Sequence, residues 1–439
     1  MRHLLFLSVL LLLVACSGGG GGGSSAPPAA PAPATPTTPT TPSTPPPSQP
    51  ETPQPTLGEQ TARIQTVVPS PLSAPLMNCL VRVETGACTF ANVPLIGMQT
   101  SAPTVDDIMS RVIVSHEWMG TRFREILERM PPDMLLLMRG LTGIVISYDI
   151  RPSFYTSQTG AMYLDPDRMW LTEEERAVID TAPDFRGEFA KKLDFIMLWR
   201  YVDGNTDIRA FERSLESISV RTAALLFHEL AHANDFFPAV GHEGLNRNTN
   251  ISALANPALS TRLANTLPLT STVMKSLAQV SFNSNNVQPT PAEAALTAED
   301  VAVEFPSDNA NDYYNYSTEF EDIAMAFEEA MMFVNYGISR DVAVTNFPDS
   351  NTCNDFVVAW GQRNRIGDPG VQARSVLAVE QLLPERAAVI EDALANMPAP
   401  QQMAPGVNWC DNINLTSNPT GLSLPGKAAQ TVETVRPYK

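Results

Sequence analysis

Thr222-Ala223-Ala224-Leu225-Leu226-Phe227-His228-Glu229-Leu230-Ala231-His232-Ala233-Asn234-Asp235 says more about this chain than any other segment of it. Alanine and leucine dominate, and neither glycine nor proline interrupts, so the composition favours helix. Residues four apart on a helix lie one turn apart on one face, which lets the imidazoles of His228 and His232 reach a single ion. Glu229 lies beside them, placed to take a proton from a water on that ion. That is the mechanical content of His-Glu-x-x-His, and Zn²⁺ is the ion it implies. The bland alternative, a helix whose histidines only pack or cap, is disfavoured by the apolar helical surroundings.

A zinc site of this kind needs a third protein ligand and an open position for water or substrate. The metzincin extension would require Gly at 235 and His or Asp at 238; the chain has Asp235 and Pro238, which excludes it. His242 follows Pro238 in an expected loop and is a minor candidate. His116 lies far upstream and reads as a surface or structural histidine. The better candidate is Tyr314-Asn315-Tyr316-Ser317-Thr318-Glu319-Phe320-Glu321-Asp322-Ile323-Ala324-Met325-Ala326-Phe327-Glu328-Glu329. Thr318 suits an N-cap, and Glu319, Glu321 and Asp322 fill the first turn, where carboxylates are favourable. Ile323, Phe327, Ala330 and Val334 form a buried stripe. A carboxylate near the start of this second core helix can complete a His₂Glu site.

These two segments together resemble the gluzincin metallopeptidases, and most of all the catalytic domain of anthrax lethal factor and its relatives. His228-Glu229-Leu230-Ala231-His232-Ala233-Asn234-Asp235 matches that family's HExxHA-x-D segment. Tyr314, three residues before Ser317 and seven before Glu321, matches its Y-x-x-T-N-x-x-E segment. The resemblance implies a zincin-like fold, Glu321 as the third zinc ligand, Tyr314 as the transition-state donor and a protein or peptide substrate. Tyr313 and Tyr316 stand as alternative donors. Ser317-Thr318 replace the family's Thr-Asn, and Met325 stands where a second Glu is usual. Asp235, Asp322 or Glu328 is then left to orient the ligands.

The ends of the chain read differently. Arg2 and His3 precede an apolar run, Leu4 to Val14, too short to span a bilayer comfortably; residues 1–15 read as an export signal. Leu13-Val14-Ala15-Cys16 resembles the lipobox of bacterial lipoproteins, implying cleavage before Cys16 and its lipidation. Ser17 after the cysteine, in place of Asp, points in a Gram-negative cell to the outer membrane. Residues 16–60 hold six consecutive glycines and then Pro, Ala, Thr and Ser with almost nothing to bury, so they read as a disordered tether. The net charge of −18 argues against a nucleic-acid partner, because phosphates would be repelled. Of five cysteines, four remain after Cys16, and an even set in an oxidising compartment suggests two disulfides. Cys79–Cys88 and Cys353–Cys410 are preferred over crossed pairings.

The folded part is expected over residues 61–410, with an irregular tail over 411–439. Leu76 to Phe90 reads as a disulfide-closed β-hairpin or loop. A helical pattern runs from Val105 to Met138, and Gly143–Tyr148 and Gly160–Leu164 read as strands. Helices are expected around 172–180, 187–201, 211–237, 257–281, 318–336 and 371–396. Strands early and helices late make the class α+β, with a small early β-sheet and a mainly helical catalytic region. Ala161–Leu164 is a candidate edge to hold substrate backbone. The expected activity is hydrolysis of peptide bonds at the membrane surface of a bacterial envelope. Its rivals are a non-catalytic, zinc-braced envelope-binding lipoprotein and a zinc hydrolase of cell-wall amides.

Overall fold

Two β-sheets flank a pair of long helices, and the class is α+β. The computed structural model describes residues 64–181, 192–283, 287–350 and 352–415. The signal segment, Cys16, the tether to residue 60 and the tail beyond residue 415 lie outside the described residues. Among those described, no helix is long and apolar enough to cross a membrane.

The first sheet has the order β1 (Gln65–Thr66), β2 (Val112–Val114), β3 (Ile144–Ile146), β5 (Ala161–Leu164), β4 (Phe154–Thr156), with β2, β3 and β5 parallel. Its central strands are short apolar runs because both faces are covered. Val112, Val114, Ile144, Ile146, Met162 and Leu164 enter the main helical core. Ile113, Val145, Ala161 and Tyr163 face a smaller core built around the Cys79–Cys88 disulfide. β5 is paired on both sides, so the expected substrate edge at Ala161–Leu164 is not an edge; β4 is.

The second sheet is antiparallel, in the order β10 (Gln401–Gln402), β9 (Val358–Arg363), β8 (Ser339–Asn346), β6 (Phe195–Asp203), β7 (Thr206–Asp207). It corrects the expectation of strands early and helices late. The segment expected as helix over 187–201 is strand from Phe195 onward, its first residues lying outside those described. Phe195 and Met197 face one apolar cluster while Ile196 and Leu198 face another, and burial on both sides removes the alternation that would mark a strand. The second disulfide, Cys353–Cys410, fastens the segment after β10 to this sheet.

The helices, in chain order, are α1 (Ser73–Leu76), α2 (Val105–Met109), α3 (Glu117–Leu127), α4 (Pro132–Leu137), α5 (Glu173–Ala177), α6 (Leu215–Phe236), α7 (Ala258–Thr266), α8 (Thr272–Phe282), α9 (Ala298–Glu304), α10 (Glu319–Tyr336), α11 (Pro369–Leu382) and α12 (Ala387–Ala395). The pattern expected to be helical from Val105 to Met138 is cut by β2. The stretch expected as a β-hairpin or loop between Leu76 and Phe90 begins as helical turns and continues as a loop without a hairpin. Pro268 separates α7 from α8 and Pro384 separates α11 from α12, where single helices were expected; proline removes a backbone donor and blocks the preceding turn.

Helices α6 and α10 form the centre. Ser214 caps α6 with Ser217 answering in a capping box. Thr318 Oγ1 accepts the Glu321 amide at the start of α10. Gly337, at φ 64°, ends α10 in the left-handed conformation that glycine tolerates, and β8 follows at once. Ala223, Phe227, Leu230 and Ala231 of α6 share one core with Ile323, Phe327, Ala330 and Met331 of α10. Small residues among them permit close approach, and the Phe227 and Phe327 rings meet edge-on at 6.4 Å.

Candidate metal centre

His228 and His232 lie one turn apart on α6, and Glu321 enters from the first turn of α10. Their ligand atoms all lie within 4.8 Å of one another, a group that could hold a metal ion. His228 Nε2 is 3.0 Å from Glu321 Oε2 and 3.3 Å from His232 Nε2, and His232 Nε2 is 3.3 Å from the same carboxylate oxygen. Ligands about 2.05 Å from a tetrahedral cation are separated by about 3.3 Å, so this donor set fits a four-coordinate ion with nitrogen and oxygen ligands. The His228 side chain keeps 14% of its exposure and those of His232 and Glu321 11%, so water reaches the cluster.

The local field also favours a cation. Burial alone would disfavour a charged His228, yet hydrogen bonds that it donates to Glu321 and Glu328 raise its pKa well above the ordinary value. Burial likewise opposes an ionised Glu321, but the two imidazoles hold its carboxyl well below the usual range. His228 Nδ1 donates to Glu328 Oε2 at 3.2 Å, and with that proton held there a cation in place of the Nε2 proton would take the Nε2 lone pair. Glu328 is held in turn by the Tyr201 hydroxyl, at 2.9 Å from Oε1. The carboxylate that orients a candidate ligand is therefore Glu328, two turns along α10 from Glu321.

The other two expected orienters act elsewhere. Asp235 Oδ1 accepts the amides of Leu259 and Ser260 and so pins the start of α7; burial raises its pKa, and these bonds and nearby His232 offset part of that rise. Asp322 pairs with Arg374 and accepts from Asn315 Nδ2 at 2.9 Å; it fastens the start of α10 to its neighbours. Both sites are buried, where a carboxylate must find partners, and backbone amides and an arginine were nearer than an imidazole.

Glu229 is buried on α6, about 100° round the helix from His228 and about 60° from His232, on the same side as both. The three tyrosines separate clearly. Tyr313 shares a hydrogen bond with Ser281, and Tyr316 donates to Asp308, both deep in the apolar cluster that Phe195 and Met197 face. Tyr314 lies with its ring 6.3 Å from the His228 ring and nearly parallel to it, braced edge-on by Phe282 at 4.9 Å. Of the other histidines, His242 is buried with Nε2 donating to the Phe237 carbonyl, and His116 precedes α3 with Nδ1 against Ser115 Oγ. Neither joins the cluster.

Next to Glu328 lies a carboxyl the sequence did not single out. Glu329 is 1% exposed; Asn311 Nδ2 donates to its Oε2, and Oε1 has no hydrogen-bond partner among the described residues. Burial pushes its pKa up to about 7 from an ordinary 4.5. The native chain thus binds a proton more tightly than the unfolded chain, and stability falls as pH rises from 4.5 through 7. Glu329→Gln keeps an acceptor for Asn311 and removes the charge. Urea unfolding should find it more stable than the parent by up to about 3 kcal/mol at alkaline pH. The gap should close as pH falls toward the ordinary carboxylate range; a gap independent of pH would contradict this.

Comparison with protein families, with curated proteins and with solved structures gave no match.

Proposed function

We propose that this chain is a zinc-dependent peptidase of the gluzincin type, with a zincin-like catalytic region. The observation that carries the reading is the convergence of His228, His232 and Glu321, with Glu229 on the same side of α6 and Tyr314 beside His228. Zinc, when bound, supplies a Lewis acid that acidifies a water and polarises a substrate carbonyl. Glu229 takes the proton of the attacking water and later delivers it to the departing amine. Tyr314 donates its hydroxyl proton to the carbonyl oxygen as negative charge develops there. Glu328, through Nδ1, keeps His228 in one tautomer and orientation. The substrate is an extended peptide, and β4, whose Tyr155 ring lies 6.1 Å from Phe236 of α6, is the strand edge beside the site available to its backbone.

A lipid on Cys16 and the tether that follows would hold this domain at the surface of a bacterial envelope, in keeping with the outer-membrane expectation. A purely structural metal site has no need of an acid at position 229, nor of a tyrosine beside a ligand histidine.

The purified chain, loaded with one equivalent of zinc, should cleave casein or members of a random peptide library. A chelator should abolish cleavage, and zinc should restore it. Stoichiometric zinc with no cleavage of any peptide would favour a binding role instead.

A further inference from the structure

Sheet pairing brings a cationic residue to the candidate centre from an unexpected direction. Arg340 of β8 is the cross-strand partner of Tyr201 on β6. Its guanidinium is buried, 4.3 Å above the Trp199 ring and 5.3 Å from that of Tyr201. Burial disfavours its charge, and Asp312, Tyr201, Glu328 and Glu329 together more than offset this. From this position Arg340 extends two arms.

One arm reaches Glu328: the arginine lies 3.5 Å from Oε1, the same oxygen that accepts from Tyr201, and Oε2 of that carboxylate accepts from His228. The other arm reaches Asp312 Oδ2 at 2.6 Å. Asp312 Oδ1 accepts the backbone amide of Tyr314 at 2.8 Å, and the Asp312 amide donates to Asn315 Oδ1, so Asp312 caps the turn Tyr313–Tyr316. One buried guanidinium therefore joins the carboxylate behind a candidate ligand to the cap of the turn that presents Tyr314.

We propose that Arg340 is a positioning residue: through Glu328 it fixes His228 for the metal, and through Asp312 it fixes Tyr314 for the reacting carbonyl. The inference rests on the peptidase reading. Its two arms make separable predictions, because one acts on metal affinity and the other on the transition state alone.

The test uses the full chain as wild type, Arg340→Lys, Asp312→Asn, Tyr314→Phe, Glu328→Gln and the doubles that combine Arg340→Lys with Tyr314→Phe or Glu328→Gln. Near-ultraviolet circular dichroism checks folding, chelator competition gives zinc affinity, and kcat and KM are read at saturating zinc. Lysine keeps the charge and cannot span both carboxylates, so Arg340→Lys should weaken zinc about 10-fold and lower kcat by about 10- to 100-fold, with KM unchanged. In the Tyr314→Phe background it should still weaken zinc and no longer lower kcat. Asp312→Asn should lower kcat and leave zinc affinity intact. Losses in kcat that multiply in the double with Tyr314→Phe, or normal zinc affinity in Arg340→Lys, would overturn the proposal. If Arg340→Lys does not fold, Asp312→Asn combined with Tyr314→Phe decides the second arm by the same non-additivity.

A wild type that binds zinc and cleaves nothing would refute the peptidase reading separately. Zinc titration of Arg340→Lys, Glu328→Gln and their double would then still decide the first arm: non-additive losses support it and additive losses reject it.

Discussion

Glu229→Gln should lower kcat by about 10²- to 10⁴-fold while zinc stays bound at wild-type affinity. Glutamine has nearly the shape of glutamate, so packing in this buried stretch of α6 is kept, and the side chain is not one of the converging ligands. What is lost is a base. A neutral amide cannot accept the proton of the attacking water, nor return one to the amine that leaves. The loss corresponds to about 3–5 kcal/mol of barrier, more than any packing change of an isosteric substitution at this position would produce. Steady-state kinetics on a cleaved peptide, with zinc content measured on the same preparation, checks it. Wild-type turnover in that variant would reject Glu229 as the base and with it the proposed chemistry.

Asp341→Asn is the stability counterpart, with an expected loss of about 3–5 kcal/mol. Asp341 is wholly buried in β8, and the registers place Arg200 of β6 and Arg363 of β9 on either side of it in one row across the sheet. Arg200 Nε donates to Oδ2 at 2.8 Å, and Arg363 donates to both oxygens, at 2.6 and 3.0 Å. The two guanidinium groups also bind the carbonyls of Trp409 and Ile413, which ties the segment around Cys410 to the sheet. Neutralising the central carboxylate removes the counter-charge that the two buried cations share and leaves them facing each other across an amide, with the field of Asp207 still acting on Arg200. Equilibrium unfolding with both disulfides intact should show the loss. Because Arg340 is the next residue in β8, partial loosening of this strand should also reduce turnover. A change of less than about 1 kcal/mol would mean that water reaches the row and screens it.

How much of this was legible beforehand depends on where each signal lived. The histidine pair and Glu321 sit on two helices whose apolar stripes and capping residues are local features, so the histidine spacing and a carboxylate in the first turn of the second helix could be read directly, and the resemblance singled out Glu321 among the carboxylates there. The two disulfides followed from cysteine parity and a preference for uncrossed pairings, and both pairings are present. β3 was visible as a β-branched run and β5 as a short apolar run stopped by Asp165-Pro166. The second sheet was not, because β6 is apolar on both faces, and β8 buries polar and apolar residues alike, including Arg340 and Asp341, so neither carries a period of two. That single omission hid the whole support of the candidate centre. Arg340, Tyr201 and Asp312 acquire their roles only through strand pairing between residues far apart in the chain, and nothing near Arg340 in sequence marks it. Glu328 was one of three possibilities until the α6–α10 packing placed it behind His228; Asp235 and Asp322 had equally plausible spacing and bind other partners.

The candidate ligands come from two helices contributed by distant parts of the chain. Neither helix alone offers a complete set, so an unfolded polypeptide would hold the ion weakly and the native one strongly. A cation there would act as a removable cross-link, shifting the equilibrium toward the docked helices in proportion to the logarithm of its free concentration. Availability of the ion in the surroundings would thereby govern how long the molecule survives as well as how fast it works.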